Sequence, residues 1–168
     1  ADPSLVDGLI ERSERHGIMV AADSQASSQY GNIARFRGTA LLTPTEREAR
    51  LAMQDFDAGL STVAARLQDM TDARNVVVTL GKDGLLVRTR TDGGAETDML
   101  PAFNPLPADV AGAGDSLFAS TALALRSGAD IWQSVYLGSI AAACQVATVG
   151  NSPVGADAVR GELASAAN

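Results

Sequence analysis

Apolar and polar positions follow two different periods along this chain. From Ser4 to His16, Leu5, Leu9 and Ile10 recur at roughly helical spacing, with Ser4 as N-cap and Gly17 as the stop. Ile18 to Asp23 is a short apolar run ending in an acid, the form of a buried strand with a carboxylate at its C-terminal end. Residues 24–38 are polar and predict a loop, with a short helix near Ile33 to Phe36. Thr39 to Thr43 predicts another strand, which Pro44 ends. Thr45-Glu-Arg-Glu48 then has the pattern of a capping box. A longer amphipathic helix is predicted from Asp57 to about Met70, with Leu60, Val63, Ala64 and Leu67 on one face.

Asn75 to Leu80 is the clearest buried strand. Gly81 to Gly84 reads as a tight turn and Leu85 to Arg90 as a second strand. After a turn at Asp92 to Gly94, a third strand is predicted near Glu96 to Leu100. Pro101, Pro105 and Pro107 keep the next segment out of helix. Ala111 to Asp115 opens a helix over Ser116 to Arg126 that closes at Gly128, and Asp130 caps another to about Val146. Residues 150–153 read as a loop, and Asp157 to Ala166 as a terminal helix. Strands and helices alternate, then a hairpin, then helices. That order argues for an α/β layered fold with a largely parallel sheet.

Composition narrows the class of function. The chain has 168 residues, 46% of them hydrophobic and 20% charged, enough for one folded core. Its net charge of −7 argues against a nucleic-acid or anionic-membrane surface. One Cys and one His preclude an internal disulfide and a Cys- or His-rich metal centre, and fit a reducing, cytoplasmic setting. No apolar run is long enough to span a membrane, and no signal-peptide pattern opens the chain. The 30 Ala and 16 Gly favour helices packed closely against a sheet. The first residues, Ala-Asp-Pro-Ser without a Met, read as the start of a portion cut from a longer protein.

The candidate chemistry lies in Gly112-Ala113-Gly114-Asp115. A helix start leaves backbone N–H groups unpaired and carries partial positive charge, and glycines let an anion approach that backbone. An anion there would lie beside the Asp115 carboxylate, an arrangement suited to phosphoryl transfer. A Gly-rich turn in which Asp is only a good cap reads the same way in sequence.

The surrounding motif resembles a known family. Residues 109–118, Asp-Val-Ala-Gly-Ala-Gly-Asp-Ser-Leu-Phe, are similar to the C-terminal signature of the ribokinase-like (PfkB-type) carbohydrate kinases, with Val110 where that family usually has Thr. Thr43-Pro-Thr-Glu-Arg-Glu-Ala49 resembles the family's Thr-Pro-Asn-x-x-Glu-Ala segment, with Thr45 in place of Asn and Glu48 kept. Val78-Thr-Leu-Gly-Lys-Asp-Gly84 resembles the strand and turn along the nucleotide. Three such segments in the right order are more specific than any one.

The resemblance implies the C-terminal part (1–168) of a three-layer α/β/α ribokinase-like sandwich, without the N-terminal portion and lid of such kinases. It implies ATP-dependent phosphorylation of a sugar or sugar-phosphate hydroxyl, with Mg²⁺. Asp115 would be the general base, and the amides of Ala113, Gly114 and Asp115 the anion hole, with Gly112 allowing close approach. Glu48 would orient Mg²⁺ through water, Thr79 and Gly81 would border the nucleotide, and Asp23 would face the phosphate region. Asp109, with Ala111, Ala147 and Gly150, falls near the site where some relatives hold a monovalent cation such as K⁺. Residues 23–43, with Tyr30, Arg35 and Gly38, look most like kinases of sugar phosphates such as heptose 7-phosphate, although Asp23-Ser-Gln-Ala26 replaces their Asp-Pro-Lys-Gly. Expected partners are the sugar, the missing N-terminal half and a second copy of the chain, the last because a sheet edge or apolar face would be left open. The chain alone is expected to be weakly active or inactive. The competing reading is a non-catalytic nucleotide-binding or interaction module, a degenerate kinase half. Cys144, His16, Trp132 and Leu137 read as packing or capping residues.

Overall fold

The computed structural model describes residues 3–23, 33–104, 108–147, 149, 150 and 152–166. In chain order the elements are α1 (Pro3–Arg15), β1 (Ala21–Ala22), β2 (Leu41–Leu42), α2 (Glu46–Met53), α3 (Leu60–Thr71), β3 (Asn75–Thr79), β4 (Leu85–Thr91), β5 (Gly94–Leu100), α4 (Ala113–Arg126), α5 (Ile131–Val146) and α6 (Ala156–Ala166). Short 3-10 turns occupy Ile33–Arg35 and Gly81–Asp83. The chain forms two compact units, one of residues 1–80 and 85–99, the other of residues 81–84 and 100–168.

The sheet order among the described residues is β1-β2-β3-β4-β5. β1 pairs with β2 and β2 with β3 in parallel, in the registers Ala21–Leu41 and Leu42–Val76. β3 and β4 are antiparallel, with Val77 opposite Val87. The fold is therefore α/β, with three parallel strands followed by a hairpin. β1 and β2 are shorter than the apolar runs suggested, since only two residues of each enter the ladder.

Val76 to Val78 are fully buried, so both faces of β3 are covered. Val76 and Val78 join Leu42, Leu86, Ala49, Val63, Ala64 and Leu67 in the core of the first unit. α3 supplies Val63, Ala64 and Leu67, the stripe its sequence foretold. Burial of each such Val or Leu contributes about 1.5–3 kcal/mol. α3 starts at Leu60, not Asp57, because Asp55 claims the segment before it. The Asp55 carboxylate accepts the amides of Asp57 and Ala58 and an ion pair from Arg66. The Ala58 amide is the main cause that holds this carboxyl below its ordinary value, with the Asp57 amide and Arg66 acting in the same direction against partial desolvation.

In the second unit α4 lies against α5. The N-cap of α5 agrees with its sequence, since Asp130 caps it and forms a reciprocal capping box with Gln133. Gly138 of α5 meets Thr121 and the Leu117 carbonyl of α4 so closely that there is no room for a Cβ. α4 starts at Ala113, three residues earlier than its apolar pattern suggested, so Gly114 and Asp115 lie in its first turn. Cys144 is only partly buried. Its thiol is raised above the ordinary value, first by burial and then by Glu162.

Candidate functional site

Two groups of the residues singled out from sequence occur, one in each unit. In the first unit they gather at the carboxyl ends of the parallel strands. Asp23 directly follows β1 and is half-buried. After β2, the Thr43 amide donates to the Ala22 carbonyl (3.3 Å), and the Thr79 amide at the end of β3 donates to the Pro44 carbonyl (2.9 Å). Thr45 and Thr79 form a parallel bridge. This edge is where open α/β sheets take their ligands.

Glu48 is 4% exposed and is held here by α2's N-terminus. Its Oε2 accepts the Thr45 amide (2.7 Å) and the Thr45 hydroxyl (2.8 Å), while the Glu48 amide donates to Thr45 Oγ1 (3.2 Å). The capping box that the sequence suggested is therefore formed. It fixes the carboxylate at Thr45, whose backbone bridges Thr79, without ruling out a second task. Sequence reasoning gave Thr43 no role. It is 5% exposed, and its hydroxyl has no hydrogen-bond partner among the described residues. The only signal was a Thr at the end of an apolar strand.

In the second unit the Gly112–Asp115 turn is open. Gly112 is the N-cap of α4 at φ +77°, a left-handed conformation that glycine takes without strain, and it offers no capping side chain. The Ala113 amide makes a long bond to the Val110 carbonyl (3.4 Å), and the Ser116 amide bonds the Gly112 carbonyl (3.0 Å). The Gly114 and Asp115 amides between them have no partner among the described residues. A Cβ built on Gly114 would meet nothing within 4 Å, so the side of the turn that Gly114 faces is open. The Asp115 side chain is exposed in the same turn. Two unpaired amides at a helix start fit an anion, and the carboxylate beside them fits a proton acceptor.

Asp109 braces this turn. Its Oδ1 accepts the Ala111 amide (3.0 Å) and its Oδ2 the Gly150 amide (3.0 Å). Those amides, Ala111 first, hold its carboxyl below the ordinary value despite partial desolvation. The structure thus joins Asp109, Ala111 and Gly150, while Ala147 is the C-cap of α5. Gly81, at φ +61°, opens the 3-10 turn that precedes β4. Sequence reasoning missed the last turn of α5, where Gln145 reaches Ser116 and the Val146 carbonyl accepts the Ala108 and Asp109 amides. No three acidic, His or Cys side chains cluster to hold a metal among the described residues. No helix among them is long and apolar enough to cross a membrane.

Parallel strands with polar groups at their carboxyl ends, and a helix start with open amides, make this an α/β protein with candidate sites for an anionic ligand. Residues 4–156 match the pfkB family of carbohydrate kinases, and the chain belongs to that family. It is 29% identical over 165 residues to the bifunctional protein HldE of Geobacter sulfurreducens, covering 96% of this chain and 32% of that protein. HldE of Geobacter metallireducens is 31% identical over the same length and coverage. The chain thus spans about a third of the curated relatives it matches.

Among solved structures, ribokinase from Thermotoga maritima superposes with TM-score 0.77 and 26% identity, over 93% of this chain and 52% of the ribokinase. Phosphofructokinase-2 from Escherichia coli, in complex with potassium, superposes with TM-score 0.83 and 18% identity over 100% of this chain and 54% of that one. Arabidopsis thaliana ribokinase, complexed with ribose and ATP, gives TM-score 0.80 and 19% identity. The fold is that of the ribokinase-like kinases, of which this chain spans about half.

Proposed function

We propose that this chain is the phosphoryl-transfer part of an ATP-dependent kinase acting on a hydroxyl of a sugar or sugar phosphate. The observation that carries the reading is the open turn of α4, where the Gly114 and Asp115 amides stand without partners among the described residues, beside an exposed carboxylate. The amides donate to the oxygens of the transferring phosphoryl group and stabilise the charge that grows there. The Asp115 carboxylate accepts the proton of the attacking sugar hydroxyl as the new O–P bond forms and the bond to the leaving diphosphate breaks. Gly112 gives the turn its left-handed bend. Ala113 supplies a third donor if its long bond to Val110 yields.

ATP supplies the phosphoryl group, and Mg²⁺ neutralises its phosphates. The oxygen donors at the carboxyl edge of the parallel strands suit such a group: the Glu48 carboxylate, Asp23 and the unpartnered Thr43 hydroxyl. Glu48 would orient Mg²⁺ through water, since Mg²⁺ prefers oxygen ligands and keeps several waters. Thr79 and Gly81 would border the nucleotide. The Asp109 carboxylate stays ionised at neutral pH and would serve a monovalent cation such as K⁺ while it braces the loop.

The remaining part of the kinase would supply sugar contacts and exclude water, so this chain alone is expected to turn over sugar slowly or not at all. It has a place to attach in the first unit. Among the described residues β1 is an outer strand without charged residues, preceded by Ile18 at 59% exposure, and α1 exposes Leu5 and Leu9. β5, at the other edge, carries Glu96 and Asp98, which discourage edge pairing.

The test is Asp115→Asn in a protein with the sugar-binding part supplied. Turnover is expected to fall about 10²–10⁴-fold with ATP binding retained. Unchanged turnover would remove Asp115 as the base, and no turnover in the unsubstituted protein with ATP binding retained would favour a nucleotide-binding module without catalysis.

A further inference from the structure

We infer that Gln145 is a positioning residue that sets the Gly114 and Asp115 amides through Ser116. The inference rests on reading that turn as a phosphate cradle. Gln145 is 2% exposed, one residue before the end of α5. A primary amide placed in a helix contact loses hydration that an apolar residue would not need, so its place there calls for a polar task.

The task is visible. The Ser116 hydroxyl, directly after Asp115, donates to Gln145 Oε1 at 3.4 Å, the long end of such a contact. The next residue, Val146, accepts the Ala108 amide (2.8 Å) and the Asp109 amide (3.3 Å) on its carbonyl. The last turn of α5 therefore grips the cradle segment at both ends, at Ala108 and Asp109 before it and at Ser116 after it. Between the two grips lie Gly112 and Gly114, whose backbone freedom would otherwise let the open amides wander. Asp109 ties the upstream end once more, to Gly150. Among the described residues, Gln145 is the side chain from another helix that holds the downstream end, beside the helix's own Ser116–Gly112 backbone bond, and it thereby helps to set the direction of the amides.

The experiment titrates the isotopically labelled chain with Mg²⁺–ATP and follows the Gly114 and Asp115 amide resonances. In the unsubstituted chain both resonances shift saturably. Gln145→Leu keeps the side-chain size but not the acceptor. Its affinity is expected to fall about tenfold, the scale of one lost hydrogen bond, with the melting temperature nearly unchanged. Ser116→Ala should match it, Ser116→Thr should retain binding, and the double variant Gln145→Leu with Ser116→Ala should be no worse than either single one.

Full affinity in Gln145→Leu, additive losses in the double variant, or equal losses in Ser116→Ala and Ser116→Thr would overturn the role of Gln145. If Gln145→Leu does not fold, the two Ser116 variants decide the question. Still resonances at Gly114 and Asp115 in the unsubstituted chain would instead refute the cradle itself, and the positioning role with it.

Discussion

Gly84 and Gly81 separate two penalties that usually arrive together. Both have positive φ, +93° and +61°. A Cβ at Gly81 meets nothing within 4 Å, so Gly81→Ala bears only the conformational penalty, about 1–2 kcal/mol. A Cβ at Gly84 would collide with the Leu100 carbonyl oxygen and lie 2.8 Å from both Pro101 C and Ala102 N. All three are backbone atoms and none can rotate away. Gly84→Ala therefore adds an overpacking penalty of about 1–3 kcal/mol to the same strain, for a total of about 2–5 kcal/mol.

Set against a typical domain stability of about 5–15 kcal/mol, that is a large fraction. The assay is urea unfolding followed by far-UV circular dichroism and by Trp132 fluorescence, compared where the two transitions coincide. Thermal midpoints should fall by about 2–4 °C for each kcal/mol lost. The reasoning is refuted if Gly84→Ala lies within about 0.5 kcal/mol of Gly81→Ala, the ordinary scatter of surface substitutions.

Three further outcomes are expected. Gly138→Ala would place a Cβ against the stiff Thr121 side chain and 2.9 Å from the Leu117 carbonyl oxygen, so it should destabilise despite alanine's helix propensity; Thr121→Ala should relieve part of the loss in a double-mutant urea series. Thr45→Val keeps the shape but removes the hydroxyl that both accepts from the Glu48 amide and donates to its carboxylate, and should lower stability by about 0.5–2 kcal/mol in the same assay. Asp109 is depressed in the folded chain, so its contribution is complete above the ordinary carboxylate value and disappears as pH falls through the lower folded one. The Gly150 amide resonance should therefore titrate with a midpoint below 3.8 and lose that titration in Asp109→Asn; a midpoint at or above 3.8 contradicts the bracing role.

What the sequence made legible follows from how locally each feature is determined. The capping box at Thr45 and the cap at Asp130 depend on side chains within three residues, and both are present, the Asp130 cap extended by Gln133 into a full box. The stripe on α3 and the apolar run of β3 are likewise local signals of burial. The start of α3 was misjudged because Asp55 lies outside the apolar period yet captures the amides of Asp57 and Ala58. α4 begins before its apolar pattern does because Gly112, a residue of low helix propensity, serves as the entry bend and Gly114 is taken into the first turn. Gln145 and Thr43 were illegible for a different reason. Their partners, or their lack of one, depend on residues 29 apart in sequence and on the ends of neighbouring strands.

Position 45 shows why a departure from a family motif need not abolish the local structure the motif builds. The family's Asn at this position is a good helix N-cap, with an oxygen that accepts and an NH₂ that donates. Thr45 reproduces both functions with one hydroxyl, accepting from the Glu48 amide and donating to the Glu48 carboxylate. The frame that presents Glu48 therefore survives the exchange. What Thr45 lacks is reach and a second donor hydrogen, because its one hydroxyl proton is committed to Glu48. Any anion contact that Asn makes from this position must come from elsewhere in this chain. The Thr43 hydroxyl, which follows β2 and has no partner among the described residues, is chemically able to make it.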